Sequence, residues 1–234
     1  MKGLIMVSKG GYVRRTAEGL VPIHRNYIQK LIDNVDVTHY DRNLKDRNKA
    51  LIALTYLSGR RISELCGRIL KDKISGVVVD VSEGVKRKDF RFDTLDNQPI
   101  VIMHCRILKK GRILDPKTRL PKTRLPKVWK DIIMLRQDPF MKYVLEWRNK
   151  CGTSNAKLFN IKRSRAYQII HELDADVWLH WLRHQRFSHL AKTMNPYQLR
   201  EFAFWSSLEP AMSYIHAEPG ATITAIQKAD KAWE

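Results

Sequence analysis

The spacing of apolar residues changes twice along the chain, and this limits the folds open to it. From Val21 to Val37, the residues Ile23, Tyr27, Ile28, Leu31 and Ile32 recur at helical intervals. Asp41 to Leu57 reads as a second helix, with Leu51, Leu54 and Leu57 on its apolar side. Ser58-Gly59 interrupts it, and Arg61 to Leu70 resumes helical character. The period then shortens. Gly76 to Val81 is a β-branched run, Asp89 to Asp93 alternates, and Pro99 to Leu108 puts Val101, Met103, Cys105 and Ile107 on one strand face. From Val128 onward the pattern is helical again, and helices are expected over 128–150, 163–174, 177–194, 196–204, 207–216 and 221–233. Helices, a small antiparallel sheet, then helices make an α+β, mainly helical class. With 234 residues, 44% of them hydrophobic, the chain can bury a core.

Between the strands and the second helical part, Pro116-Lys117-Thr118-Arg119-Leu120 repeats at once as Pro121-Lys122-Thr123-Arg124-Leu125, followed by Pro126. Proline at every fifth position blocks a helix and a central strand, so an extended basic loop is expected. Lys109-Lys110-Gly111-Arg112 reads as a turn.

Lys and Arg number 43 against 24 Asp and Glu, a net charge of +19 spread along the chain. A folded domain this basic is expected to meet a polyanion, nucleic acid before an anionic membrane. No basic amphipathic helix stands apart from the rest, and no apolar run is long enough to span a bilayer. A ribosomal-type structural protein is the plainest alternative on charge alone. Cys66, Cys105 and Cys151 have no CxxC spacing and form no disulfide or zinc framework. A reducing, intracellular setting is expected.

Three separated segments carry chemistry. They are Ser58-Gly59-Arg60-Arg61-Ile62-Ser63-Glu64-Leu65, then His180-Trp181-Leu182-Arg183-His184, then Trp205 with Tyr214 nine residues on. Each has an ordinary explanation alone: a capping histidine, a solvated arginine, a core tryptophan among six. Together they match what attack on a phosphodiester requires. That reaction needs an in-line nucleophile, neutralised non-bridging oxygens and an acid for the leaving oxygen. A tyrosine hydroxyl, with a pKa of about 10, needs a base or a strongly positive site. Arg61 and Arg183 can clamp a phosphate with two guanidiniums. His180 and Arg183 are three apart and share a helix face, and His184 could join them. A zinc site through His180 and His184 is a rival, but it lacks the glutamate of His-Glu-x-x-His and sets Arg183 beside the metal. No metal or cofactor is expected. Trp205 has an indole N–H for a phosphate oxygen and a ring that can buttress the tyrosine's helix. Ser206 and Glu209 fit a capping box and Pro210 a first turn, so a short helix carrying Tyr214 should start there. Without a break between them, nine residues would put Trp205 and Tyr214 on opposite helix faces.

The ordered set resembles the tyrosine recombinases, the family of the phage integrases, Cre and the Xer recombinases. Leu54 to Leu65 resembles the family's first catalytic box, with Arg61 rather than Arg60 at the catalytic arginine. His180 to His184 resembles the His-x-x-Arg-His box, and Trp205 to Tyr214 reproduces the spacing to the nucleophilic tyrosine. The resemblance implies a catalytic domain over 20–217, a basic arm over 1–19 and a tail helix over 218–234. It implies DNA cleavage and rejoining through a 3′-phosphotyrosyl intermediate, with Arg61, His180, Arg183, Trp205 and Tyr214 as site residues. It also implies a lysine in a β-hairpin turn as leaving-group acid. Lys109 follows the strand directly and is placed there, with Lys110, Lys86 and Lys88 left as alternatives. The implied partner is double-stranded DNA, with self-association as dimer or tetramer. The family's helical DNA-binding domain would precede the catalytic one, where some twenty residues stand here, so further protomers or an accessory DNA-binding protein are expected to complete the grip. A type IB topoisomerase and a non-cleaving DNA-binding protein of the same fold are the alternatives. The sequence departs from the family pattern at Arg60, where leucine is common, and at Phe204, where glycine is common; neither is expected to touch the chemistry.

Overall fold

The computed structural model describes residues 24–38, 41–71, 76, 78–108 and 127–215. Helix α1 (Arg25–Thr38) leads into α2 (Arg42–Ser58), whose first turn is capped by the Asp41 carboxylate accepting from the amides of Asn43 and Leu44. α2 is the central helix, packed against α1 and against two later helices, α4 (Met141–Lys150) and α6 (Leu179–Leu190). Every residue from Ala50 to Ser58 is buried. A helix apolar on all sides can only lie inside a core. Its two buried hydroxyls turn back on their own helix, Thr55 donating to the Leu51 carbonyl at 2.6 Å and Ser58 to the Leu54 carbonyl at 2.5 Å. Leu54 is wholly buried in this cluster. Leu54→Ala is therefore expected to lower unfolding free energy by about 2–5 kcal/mol in denaturant titration, the cost of lost burial plus cavity.

The short helix α3 (Ile62–Leu65) follows, then a two-stranded antiparallel ribbon of β1 (Arg68–Lys71) and β2 (Val78–Ser82). A second sheet has the order β3 (Phe90–Leu95), β4 (Gln98–Ile107), β5 (Val128–Leu135), antiparallel throughout. Asp96 and Asn97 close the β3–β4 hairpin with φ of 48° and 60°, the left-handed pair that a two-residue turn requires. On β4 the residues Val101, Met103, Cys105 and Ile107 are buried, and so are Ile100, Ile102 and Arg106 on the opposite face. The remaining helices are α5 (Arg163–Leu173), α7 (Pro196–Ala203) and the single turn α8 (Glu209–Met212).

Four expectations are corrected. The stretch 128–150 is not one helix but β5, a turn through Asp138-Pro139, and α4. Ile132 and Met134 point into the core while Asp131, Ile133 and Leu135 stay exposed, and pairing with β4 satisfies the backbone. The helix expected over Arg61–Leu70 stops at Leu65, because Arg68 to Lys71 pair with β2. Two small sheets stand where one was expected. The helix expected over 207–216 is one turn whose N-cap is Leu208 with no side-chain cap, so the Ser206–Glu209 capping box does not form. The expected arm over 1–19, the Pro-Lys-Thr-Arg-Leu repeat and the tail helix lie outside the described residues. Among the described residues, no helix is long and apolar enough to cross a membrane.

Candidate active site

The site begins where α2 ends. Gly59 takes φ 59° and its amide donates to the Tyr56 carbonyl at 3.2 Å, a left-handed helix cap. A Cβ there would also sit 3.0 Å from the Phe187 ring. The turn releases Arg60 and Arg61 before α3. The Arg61 amide and guanidinium both donate to Glu64, at 2.9 and 3.3 Å. The Glu64 side chain is fully buried and accepts as well from the Leu108 amide at 3.0 Å. One carboxylate thus ties the arginine turn to the end of β4.

Helix α6 presents His180, Arg183, His184 and Phe187 at the spacing of one helix face. Arg183 is buried, donates to the Gly59 carbonyl at 2.5 Å and stacks over the Phe187 ring at 4.6 Å. Burial first, then the charges of Arg60 and Arg61, bring its pKa down to about 9. The guanidinium is charged at neutral pH and would gain from an incoming anion. A phosphate group bound beside it would raise that pKa again, so affinity for such an anion should be level below pH 9 and fall above it, with proton uptake on binding in that range. Titrating affinity from pH 7.5 to 10 checks this; loss of the fall in Arg183→Met, whose side chain does not titrate, would tie it to this residue.

The third segment completes the wall. α7 ends at Ala203, Phe204 turns the chain at φ 56°, and Trp205 and Tyr214 come together across the short α8 turn. Their rings stack at 5.7 Å and 11°. Phe187 packs against both, at 4.8 Å from Trp205 and 5.6 Å from Tyr214. The Tyr214 hydroxyl hydrogen-bonds His184 Nδ1, and the His180 and His184 rings meet edge to face at 4.7 Å. A cleft of about 380 Å³ is lined by Arg61, His180, Arg183, His184, Trp205, Tyr214 and the α8 turn.

Five of the six expected site residues therefore share one cleft: Arg61, His180, Arg183, Trp205 and Tyr214. Lys109 and its alternative Lys110 lie outside the described residues; Leu108, bonded to Glu64, is the last described residue before them. Lys86 is engaged by Glu83, and neither it nor Lys88 lines the cleft. His184 and Glu64 are the residues sequence reasoning underweighted. Each sits one helical turn from a chosen residue, His184 from His180 and Glu64 from Arg61, and that spacing was their signal.

Other nucleophiles compare poorly. Tyr56 also bonds a histidine, His189 at 2.7 Å, but it is wholly buried and burial raises its pKa. Tyr197 is exposed on α7 and does not line the cleft. Burial pushes the Cys66 thiol up to about 12 and the Cys105 thiol upward too, far from a reactive thiolate. Among the described residues, no three His, Cys, Asp or Glu side chains group as a metal site.

No protein-family model matches the sequence, and no curated protein matches it. Solved structures do. The chain is similar to the XerH site-specific recombinase bound to difH substrate in a pre-cleavage complex, with 18% identity and a TM-score of 0.54. It is similar to XerH bound to palindromic difH substrate in a post-cleavage complex, with 17% identity and a TM-score of 0.54. Each match covers 91% of this chain and 53% of the other, so the chain spans about half the length of those structures. At such identity the likeness speaks for the fold, and the fold is the one its motifs resemble: that of the tyrosine recombinase catalytic domain.

Proposed function

We propose that the chain is a site-specific DNA recombinase or integrase that breaks and rejoins strands through a 3′-phosphotyrosyl intermediate. The observation that carries this is the Tyr214 hydroxyl, bonded to His184 inside a cleft that also holds Arg61 and Arg183. A phosphodiester in that cleft meets two guanidiniums, with Glu64 bonded to Arg61 behind them and Glu209 of the α8 turn on the cleft wall. Tyr214 Oη attacks phosphorus as the bond to the 5′-oxygen breaks. Its proton passes to His184 Nδ1, which accepts while the ring's own proton stays on Nε2. The 5′-oxygen takes a proton from Lys109, leaving a free 5′-hydroxyl and a DNA 3′-phosphate on Tyr214. Attack by a second strand's 5′-hydroxyl reverses the steps, so the phosphotyrosine conserves the bond energy and no cofactor is called for. His180 steadies His184 and the phosphate; Trp205 buttresses the tyrosine ring.

Double-stranded DNA is the partner, a reading that the net charge of +19 and the likeness to a site-specific recombinase bound to its difH substrate support. Self-association on DNA, an accessory DNA-binding protein and an origin in a mobile element or virus belong to the same reading. A nicked suicide duplex tests it: a covalent adduct at the DNA 3′ end is expected, and strand breakage without an adduct contradicts it. Relaxation of supercoils by the monomer at no defined site would point instead to topoisomerase action. Lys109→Ala should lose cleavage on ordinary DNA and regain it on a 5′-bridging phosphorothiolate, because a thiolate leaves without an acid. Rescue of Lys110→Ala instead would move the acid by one residue.

A further inference from the structure

Arg60 is among the largest wholly buried side chains of the molecule, with 1% of its surface exposed. A buried cation is costly unless it is hydrogen-bonded. Arg60 meets that cost with main-chain carbonyls. Nε donates to the Ser58 carbonyl at 3.0 Å, one terminal nitrogen to the Phe202 carbonyl at 2.9 Å, and the other to the Ala203 carbonyl at 3.4 Å. Phe202 and Ala203 end α7, where carbonyls lack helical partners and the dipole is negative. The guanidinium also stacks over the Phe204 ring at 4.9 Å, and the Lys130 ammonium of β5 lies 5.7 Å from the same ring. Phe204 holds φ 56°, a left-handed conformation unfavourable for a residue with a side chain. The backbone strain persists because the contacts around it fix it.

The chain neighbours matter most. Arg61, next to Arg60, lines the cleft; Trp205, next to Phe204, lines it and stacks on Tyr214. We propose that the Arg60–Phe204 contact is a positioning lock, which fixes the Trp205–Tyr214 segment against the Arg61 turn and so sets the nucleophile's aim at the clamped phosphate. The role rests on the strand-cleavage reading given above. Arg60 and Phe204 are positioning residues, acting through Arg61, Trp205 and Tyr214.

The test is a set of variants on suicide DNA at saturating concentration, read as single-turnover cleavage. Phe204→Gly relieves the left-handed strain but removes the ring, so a merely structural Phe204 predicts unchanged or faster cleavage. The lock predicts cleavage slower by roughly 10- to 100-fold, the scale of a misplacement of about 1 Å, with DNA affinity held, a loss in kcat rather than KM. Phe204→Tyr keeps the ring and should retain most of the rate. Arg60→Met should be slow in the same way, and the double variant no slower than the slower single, because both break one contact. Amide hydrogen exchange over 205–214 should quicken in Arg60→Met and Phe204→Gly alike. Parent-like cleavage by Phe204→Gly, or losses that multiply in the double variant, overturns the lock. If the parent itself forms no adduct, the strand-cleavage reading fails, and hydrogen exchange alone then decides the lock: unchanged exchange over 205–214 overturns it. Should Arg60→Met not fold, the Phe204 pair decides.

Discussion

Tyr214→Phe is expected to bind DNA with the parent's affinity and to form no covalent adduct at any time of incubation. The substitution removes one oxygen. The ring contacts with Trp205, Phe187 and His184 do not depend on it, so the wall of the cleft should survive. What is lost is the proposed attacking atom and the bond to His184. Neither alternative tyrosine is placed to substitute: Tyr56 is sealed in the core, and Tyr197 is exposed and does not line the cleft. The adduct is measured on a denaturing gel and affinity by titration under the same conditions. An adduct formed by Tyr214→Phe would remove Tyr214 from the reaction; lost affinity would mean the hydroxyl serves binding.

Arg61→Ala and Arg183→Lys should each cleave about 100- to 1000-fold more slowly, the usual cost of losing a donor that stabilises transition-state charge. The two differ in what else they disturb. Arg61 is partly exposed, and Glu64 keeps its bonds to the Arg61 and Leu108 amides without the guanidinium, so folding should be little affected. Arg183 is buried, bonded to the Gly59 carbonyl and stacked on Phe187, so even lysine loses its fork and its ring contact. Arg183→Lys should therefore lower both the rate and the melting temperature, whereas Arg61→Ala should lower the rate alone. Cleavage within a few-fold of the parent by either variant would make that arginine structural.

The part of the site that could be read in the sequence is the part built from local spacing. His180 and Arg183 share a face because three residues is close to one helical turn, and Gly59 marks the end of α2 because only a left-handed cap fits there. The parts that could not be read depend on partners far away in the chain. Strand β5 contains Ile132-Ile133-Met134-Leu135, a run that suits a helix as well as a strand; its pairing with β4 decides the matter, and β4 lies beyond the proline-rich repeat. Arg60 was expected to stand clear of the chemistry. Its carbonyl partner on Phe202 is 142 positions away, and nothing in the local pattern points to it. The bond between His184 and Tyr214 is of the same kind, since it requires α6 and the α8 turn to be folded together.

The most direct test of the account is to name the residue that carries the DNA. The covalent complex trapped on a nicked suicide duplex, digested with protease and nuclease, should yield one modified peptide, with a nucleotide 3′-phosphate ester on Tyr214. A nucleotide on any other residue, or DNA cut to free 3′ and 5′ ends with no peptide attached, would contradict it.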